Sequence, residues 1–473
     1  MRSARRRAMA ATIMAAALTA VLAAAPGSAA VDPGTPGRAV AGSEVEVEIP
    51  GPEHGTAAGA GHAHVSPESP VSPYGQAQQQ RRLSGTERAA DGEVAKLIDN
   101  GSTADRLDVV VIGDGYTVAE LAQFHTDAKQ KWAEVAAVEP YTTYQNLFNV
   151  WAVDAVSNQS GVSGDPDPAT VRDTALGSYF WCDDIERLLC IDQDKVDGYV
   201  AKAPEADLVI VLANSAKYGG AGYNEPSATL GYEGIATASA GNEKSGQVAI
   251  HETGHSLGKL ADEYFYPDYP GYEKYEGPEP ADSNISTLTA EDMARRHAKW
   301  YRWLGEESPD GGTVGAYEGG GYYVTGLNRP TGNSLMRSLG KPFNLPGVEA
   351  MIAGFYRHAR IVTAITPTDR TLRPGDTAKA ALPRLTGPDG RQLRARWYLD
   401  GRELKSFAGR AEVRVTDLGL RPLDLRTHRL SVTVEDRTPA VRDPKVAGAL
   451  KSTIGWKIRP VAIKPGGRAI AGS

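Results

Sequence analysis

Sulfur is scarce in this chain. Only two cysteines, Cys182 and Cys190, occur among 473 residues, and both fall in the segment WCDDIERLLC. No nearby histidine or further cysteine could complete a tetrahedral thiolate site with them, so a single local disulfide, formed in oxidising surroundings, is the expected use. Long apolar runs are also missing: beyond the N-terminus none could span a bilayer, which leaves no membrane anchor. Nor is there an excess of basic charge. With 51 Lys and Arg against 58 Asp and Glu, the formal charge is −7, a balance that repels phosphate backbones and anionic lipid and argues against nucleic-acid or membrane-surface binding. Histidine is limited to nine residues, so a local grouping of them carries information.

What is present begins with MRSARRRAMAATIMAAALTAVLAAAPGSAA, in which Arg2, Arg5, Arg6 and Arg7 precede an Ala-rich apolar stretch ending in small residues. This pattern reads as an export signal over residues 1–30, cleaved near Ala30, and predicts a secreted chain that starts near Val31. Residues 31–92 are rich in Pro, Gly, Ala, Ser and Gln and read as a flexible leader or pro-segment. His54, His62 and His64 lie within it and are expected to be solvated rather than metal-bound.

A length of 473 residues with 41% hydrophobic content allows a sizeable core and more than one domain. From Leu107, LDVVVIGDGYT followed by VAELAQFHTDAKQKWAEVAAVEP reads as strand, tight turn and helix; FNVWAVDA and ADLVIVLANSA add two strands, so residues 93–365 are expected to form an α/β domain. The turn GDGY lacks the lysine and glycine spacing of a phosphate loop. A short strand at Gly234–Ala238 is expected at a sheet edge, where it could take an extended peptide by strand addition. Over 366–473 alternating segments such as ARWYLDGREL, AEVRVTDL and HRLSVTVED predict a C-terminal β-sandwich with a short tail and with Trp397 in its core. Such a module would bind glycan or protein, or buttress its neighbour.

The segment that carries chemistry is SGQVAIHETGHSLGKLADEYF. Residues four apart on a helix share a face, so His251 and His255 can aim their imidazoles at one zinc ion, while Glu252 can reach an attacking water without being a ligand. Two surface histidines are the alternative, but Val248, Ala249, Ile250 and Leu257 predict a buried helix, where imidazoles need partners. Gly258 is expected to terminate the helix and let the chain turn back. In zincins of the metzincin kind a third ligand follows such a glycine. By that likeness Asp262 is the candidate, although it falls eleven positions after His251, one more than is usual there; Glu263 is the alternative.

HETGHSLGKLADEY resembles the signature of the IgA-peptidase family of secreted bacterial zinc metallopeptidases. VVVIGDGYT, KWYRWL from Lys299 to Leu304, GAYEGGGYYVTGLNRPTGNSLMR and HRLSVTVEDRT are similar to parts of that family in the same order, from about residue 95 to about 460. The resemblance implies an α/β zincin (metzincin-like) catalytic domain with one catalytic Zn2+. It also implies a methionine turn at Ser334, Leu335 and Met336, with Met336 an apolar floor beneath the metal. Tyr264, Tyr322 and Tyr323 are candidates for oxyanion or substrate contact, because a phenol can donate to developing negative charge.

The expected function is therefore a secreted zinc-dependent endopeptidase acting on protein or peptide substrates. Zinc would lower the pKa of its water from about 16 to about 7, with Glu252 as general base and then acid. A zinc amidase for cell-wall or other non-protein amides, and a non-catalytic secreted binding module on a zincin fold, are the alternatives; the second would have no need of Glu252. The family's name does not establish immunoglobulin as the substrate. His125, His297, His358 and His428 are expected in packing or surface roles. Asp165 and Asp167 in SGDPDP offer calcium a site or form a solvated turn.

Overall fold

A computed structural model describes residues 83–460 apart from 268–269, 388–392 and 422–423, together with the backbone of two strands at 45–49 and 61–65. The expected cleavage point near Ala30 and His54 lie outside the described residues. In chain order the main sheet contains β1 (Val45–Ile49), β2 (Gly61–Val65), β3 (Val94–Ile98), β4 (Leu107–Asp114), β5 (Phe148–Val153), β6 (Leu208–Ala213), β7 (Gly220–Tyr223) and β8 (Ile235–Ser239). Across the sheet the order is β2-β1-β7-β8-β6-β4-β5-β3. The four strands β5, β4, β6 and β8 are parallel; antiparallel strands flank them on both sides.

Parallel strands are covered on both faces, which is why β4 reads as an unbroken apolar run. Its side chains alternate between two cores. Val109 and Val111 join Phe124, Trp132 and Ile250 on one face, while Val110 and Ile112 join Leu176, Leu188 and Val196 on the other. The helices of this region are α1 (Gly85–Ala90), α2 (Leu121–Ala136), α3 (Tyr141–Tyr144), α4 (Gln193–Val200) and α5 (Ser245–Ser256). On α2 the buried Phe124, Ala128, Trp132 and Val135 recur at three- and four-residue spacing, the pattern of a helix with one covered face. The opposite core is pinned by the disulfide between Cys182 and Cys190.

Two differences from the sequence reading bear on the site. The strand expected at Gly234–Ala238 is β8, but it is not an edge strand: β7 pairs with it antiparallel from Gly220↔Ala238 to Tyr223↔Ile235. The run GAGY reads as loop because its small residues give no apolar signal, yet small residues are needed where α5 lies against the strand. The stretch 31–92 contributes β1, β2 and all of α1, whose N-terminus is closed by a Ser84–Glu87 capping box. Elements of five or six residues are too short to stand out as periodicity.

Beyond the sheet come α6 (Ala290–Arg296), the hairpin β9 (Tyr317–Gly320) and β10 (Tyr323–Arg329), and α7 (Leu345–His358). Phe355 of α7 meets the rings of Tyr141 and Phe148, each at 4.9 Å. The C-terminal strands are β11 (Thr363–Ala364), β12 (Thr371–Leu372), β13 (Thr377–Ala381), β14 (Ala395–Leu399), β15 (Arg402–Glu403), β16 (Glu412–Arg414), β17 (His428–Glu435) and β18 (Lys451–Ile458). They form sheets of order β11-β13-β16 and β12-β18-β17-β14-β15. A short helix not anticipated from sequence, α8 (Pro444–Ala449), starts where Asp443 caps Lys445 and Pro444 opens the first turn. Trp397 is fully buried and stacks on Trp456 at 5.7 Å. These side chains belong to the same apolar cluster as Leu107 and Ile250, so one core runs from the main sheet into the C-terminal sheets. At that junction Tyr144 and Tyr356 both donate to Asp436 Oδ2, at 2.6 and 3.0 Å.

Candidate metal centre

Every residue of α5 except Gln247 is buried, and no side chain caps its N-terminus. The helix is therefore held by packing against β7, β8 and α2 rather than by local propensity. On its covered face His251 Nδ1 lies 3.0 Å from the carbonyl of Leu335, and His255 Nδ1 lies 2.6 Å from the carbonyl of Leu260. A carbonyl only accepts, so each Nδ1 donates and each neutral ring presents the lone pair of its Nε2 to the other side. The two Nε2 atoms are 3.2 Å apart. Asp262 Oδ1 lies 3.1 Å from the first and 3.5 Å from the second.

Three acceptor atoms thus converge in a buried place, an arrangement that repels itself without positive charge among them. An ion bound tetrahedrally at about 2.0–2.1 Å holds its ligands about 3.3 Å apart, which fits the observed spacing. Among the described residues these three form the one group of His, Cys, Asp or Glu side chains close enough to share an ion. Burial works against charge on the His251 ring, but the carboxylate of Asp262 outweighs it and raises the ring's pKa; Asp262, although buried, is held well below the usual carboxylate range by His255 and His251.

Asp262 owes its orientation to Tyr322, whose hydroxyl donates to Oδ2 at 2.8 Å and leaves Oδ1 facing the imidazoles. Glu263 turns the other way. It accepts from Ser334 Oγ at 2.7 Å, Asn344 Nδ2 at 2.8 Å and Asn284 Nδ2 at 3.1 Å; burial pushes its carboxyl up to about 7 against the pull of these donors. Of the two acids, Asp262 is the one beside the rings.

Glu252, next along the helix, is also buried and reaches toward β7. A Cβ at Gly222 would overlap its Oε2, so the glycine makes the space that the carboxylate fills. Tyr218 stands nearby: burial pushes its phenol up to about 12, the Glu252 carboxylate adding to the shift and Arg187 opposing it. Met336 lies against the helix, with Sδ 2.5 Å from where a Cβ on Gly254 would be, and its carbonyl accepts from the Glu263 amide at 2.8 Å. Tyr264 and Tyr266 both pack against the Tyr322 ring, at 5.5 Å each. Tyr323 packs on Tyr272 and Tyr275. With His255, Asn224 and Tyr322 it lines a cavity of about 480 Å³ beside the rings.

Residues 95–311 match the family model of the IgA Peptidase M64 family. No curated protein matches the chain. That family is one of metallopeptidases with a zincin-like fold, and the match supports a peptidase with protein or peptide substrates.

Of the residues singled out from the sequence, His251, His255 and Asp262 come together with Glu252 next to them on the helix, Tyr322 bonded to Asp262 and Met336 against the helix. Sequence reasoning missed Gly222, Tyr218, and the carbonyls of Leu260 and Leu335. Gly258 does not reverse the chain: the left-handed residue is Lys259, with φ +50°, and Gly258 instead lets Met351 and Leu260 close on the helix end. His125 pairs with Asp154 at 2.7 Å, His428 with Asp400 at 2.6 Å, His297 stacks on Tyr301, and His358 bridges Asp207 and Glu233. Asp165 and Asp167 accept from Ser215 Oγ and the Ala169 amide, a use that fits the turn. Among the described residues no helix is long and apolar enough to cross a membrane.

Proposed function

We propose that this M64 peptidase is a secreted, zinc-dependent endopeptidase in which His251, His255 and Asp262 hold the ion and Glu252 is the general base. One observation carries the reading: two imidazoles with Nδ1 committed to carbonyls meet a carboxylate oxygen at distances suited to one small ion. Two nitrogens and one oxygen form a donor set that zinc favours, and three protein ligands would leave zinc a position for water or substrate. When bound, zinc supplies Lewis acidity, which polarises a scissile carbonyl and makes water more acidic.

The remaining steps belong to the chain. Glu252 takes the proton of the attacking water and returns it to the leaving amine, which suits a carboxylate kept in place by Gly222 and the buried wall of β7. Tyr322 keeps Asp262 turned toward the rings, and Met336 supports the helix from below. Tyr323 lines the cavity beside the rings, where it would meet the substrate, while Tyr264 is buried against the Tyr322 ring and would support that ring from behind. In this reading residues 1–30 are an export signal, 31–92 a leader, 93–365 the catalytic domain and 366–473 a β-sandwich that buttresses it through the shared core.

Incubation of the purified chain with casein, with and without a chelator, tests the proposal. Proteolysis that chelator abolishes and zinc restores is expected, and Glu252→Gln should keep the metal while kcat falls by about 10²- to 10⁴-fold. Activity on cell-wall amides alone would replace endopeptidase by amidase. A Glu252→Gln protein as active as the unsubstituted chain would remove the assigned base.

A further inference from the structure

Beside the metal centre, the loop closed by the Cys182–Cys190 disulfide is fixed to the first residues of β7. The Arg187 carbonyl accepts from the Gly220 amide at 3.2 Å, Leu188 bridges Gly220 in parallel, and a Cβ on Gly219 would overlap the Arg187 carbonyl. A strand rises about 3.3 Å per residue, which sets this anchor about 7 Å from Gly222, the residue that faces Glu252. The Arg187 side chain is half-buried and lines, with Glu186, Lys217 and Tyr218, a cavity of about 380 Å³. The phenols of Tyr218, Tyr264 and Tyr266 all act on its charge, and Glu252 acts on Tyr218, so the cavity lies next to the candidate general base. The Tyr218 hydroxyl is buried and has no hydrogen-bond partner among the described residues; a phenol that stays protonated at neutral pH has an O–H to donate. Lys217 is a second fixed cation, its Nζ 3.0 Å from the Gly164 carbonyl, 4.9 Å from the centre of the Trp181 ring and 3.3 Å from the exposed Glu186 carboxylate.

We propose that Arg187 and Tyr218 form a subsite for a substrate carboxylate close to the scissile bond, carried by an Asp or Glu side chain or by a free C-terminus. The inference deepens the peptidase reading and rests on it for the identity of the molecule that bears the carboxylate. A guanidinium presents parallel N–H donors that match the two oxygens of a carboxylate, and such charge-assisted bonds are roughly twice as strong as neutral ones. The phenol adds a neutral donor. Partial burial strengthens the attraction by lowering the local dielectric, and the disulfide-closed loop presents Arg187 already in position, so less freedom is lost on binding. Across the same cavity Lys217 already holds a carboxylate, that of Glu186. An amide of the same shape turns an NH2 toward these donors and leaves them unmatched, so the subsite should favour acid over amide by about 10- to 100-fold.

The test uses the full chain in the presence of zinc and internally quenched peptides built on one sequence. Positions flanking the cleaved bond carry Asp, Asn or Lys in turn, and each peptide is made with a free and with an amidated C-terminus. The readout is the ratio of kcat/KM between Asp and Asn forms, and between free and amidated forms, for the unsubstituted chain, Arg187→Gln, Arg187→Glu and Tyr218→Phe. One of these ratios is expected at about 10 to 100 in the unsubstituted chain, about one in Arg187→Gln and a few-fold lowered in Tyr218→Phe, while Arg187→Glu should come to prefer Lys. A merely structural loss would slow all peptides together and leave the ratios alone. The ratio that departs from one names the source of the carboxylate. Cleavage of every peptide with ratios near one, or with the same ratios in all four proteins, would leave the peptidase reading standing and overturn the subsite. If no protein cleaves any peptide, the peptidase reading falls, and fluorescence anisotropy of the labelled peptides decides the subsite by itself: tighter binding of an acidic form that Arg187→Gln abolishes upholds it, and equal binding of acid and amide removes it.

Discussion

Tyr322 donates a hydrogen bond of 2.8 Å to Oδ2 of Asp262 from a backbone in the left-handed region, φ +73°. A non-glycine residue held there costs about 1–2 kcal/mol, and such strain persists only where the surroundings over-determine it. Here they do: the amide and carbonyl of Tyr322 bond to Tyr264 and Tyr266, and its ring stacks on Tyr266. Removing the hydroxyl should free Asp262 to rotate. Tyr322→Phe is expected to weaken zinc by about 10- to 100-fold, read by competition with a chromophoric chelator, with little change in thermal stability. Unaltered zinc affinity would assign the hydroxyl no part in orienting Asp262.

The contact between Gly222 and Glu252 makes a second prediction. In Gly222→Ala the new methyl and the carboxylate cannot share one place, so Glu252 must swing away while both histidines stay where they are. We expect kcat to fall by about 10²-fold or more with zinc content unchanged. Turnover near that of the unsubstituted chain would mean that Glu252 works from some other position.

Away from the centre, His358 lies 2.7 Å from Asp207 and 2.9 Å from Glu233. Burial lowers the ring's pKa, but the two carboxylates outweigh it and raise it to about 9. Glu233, opposed by burial, is lowered by His358, Lys259 and Arg357. A raised histidine stabilises the fold fully below its ordinary value near 6.5, and that contribution is lost as pH rises through about 9. Glu233 contributes above its ordinary value and loses that contribution as pH falls through its lowered one. The melting temperature should therefore decline between these two histidine values, with His358 accounting for roughly 1 kcal/mol after solvent screening. In His358→Gln the decline should flatten; an identical slope in both proteins would contradict the assignment.

Asp436 tests whether the C-terminal sheets are a separable unit. Its Oδ2 satisfies two buried phenols, Tyr144 and Tyr356, from the catalytic side of the junction. Asp436→Ala leaves both hydroxyls without that acceptor and should cost about 2–4 kcal/mol. Urea unfolding of the unsubstituted and substituted proteins should each give one cooperative transition, because the apolar core is shared. Two resolved transitions would show that the C-terminal region folds independently.

How much of this was readable beforehand depended on which chemical group carried each feature. The helix holding His251, Glu252 and His255 was legible because its spacing is a side-chain pattern, and β4, β5 and β6 because burial on both faces leaves unbroken apolar runs. β7 was not, since two glycines in four residues look like loop when the packing helix is out of view. The carbonyls of Leu335 and Leu260 have no letter of their own: any residue at those positions offers one. Asp262 and Glu263 could be told apart only by their partners, Tyr322 for one and Asn284, Ser334 and Asn344 for the other, which lie between about twenty and eighty positions away along the chain.

The anchor of the first imidazole lies outside the segment that the family model matches, since that match stops at residue 311 and the His251 ring leans on the carbonyl of residue 335. A fragment trimmed at the family border would retain the histidine motif but leave one ring to swivel, its tautomer no longer dictated. What is inherited as a signature is thus smaller than what must be folded for the signature to work.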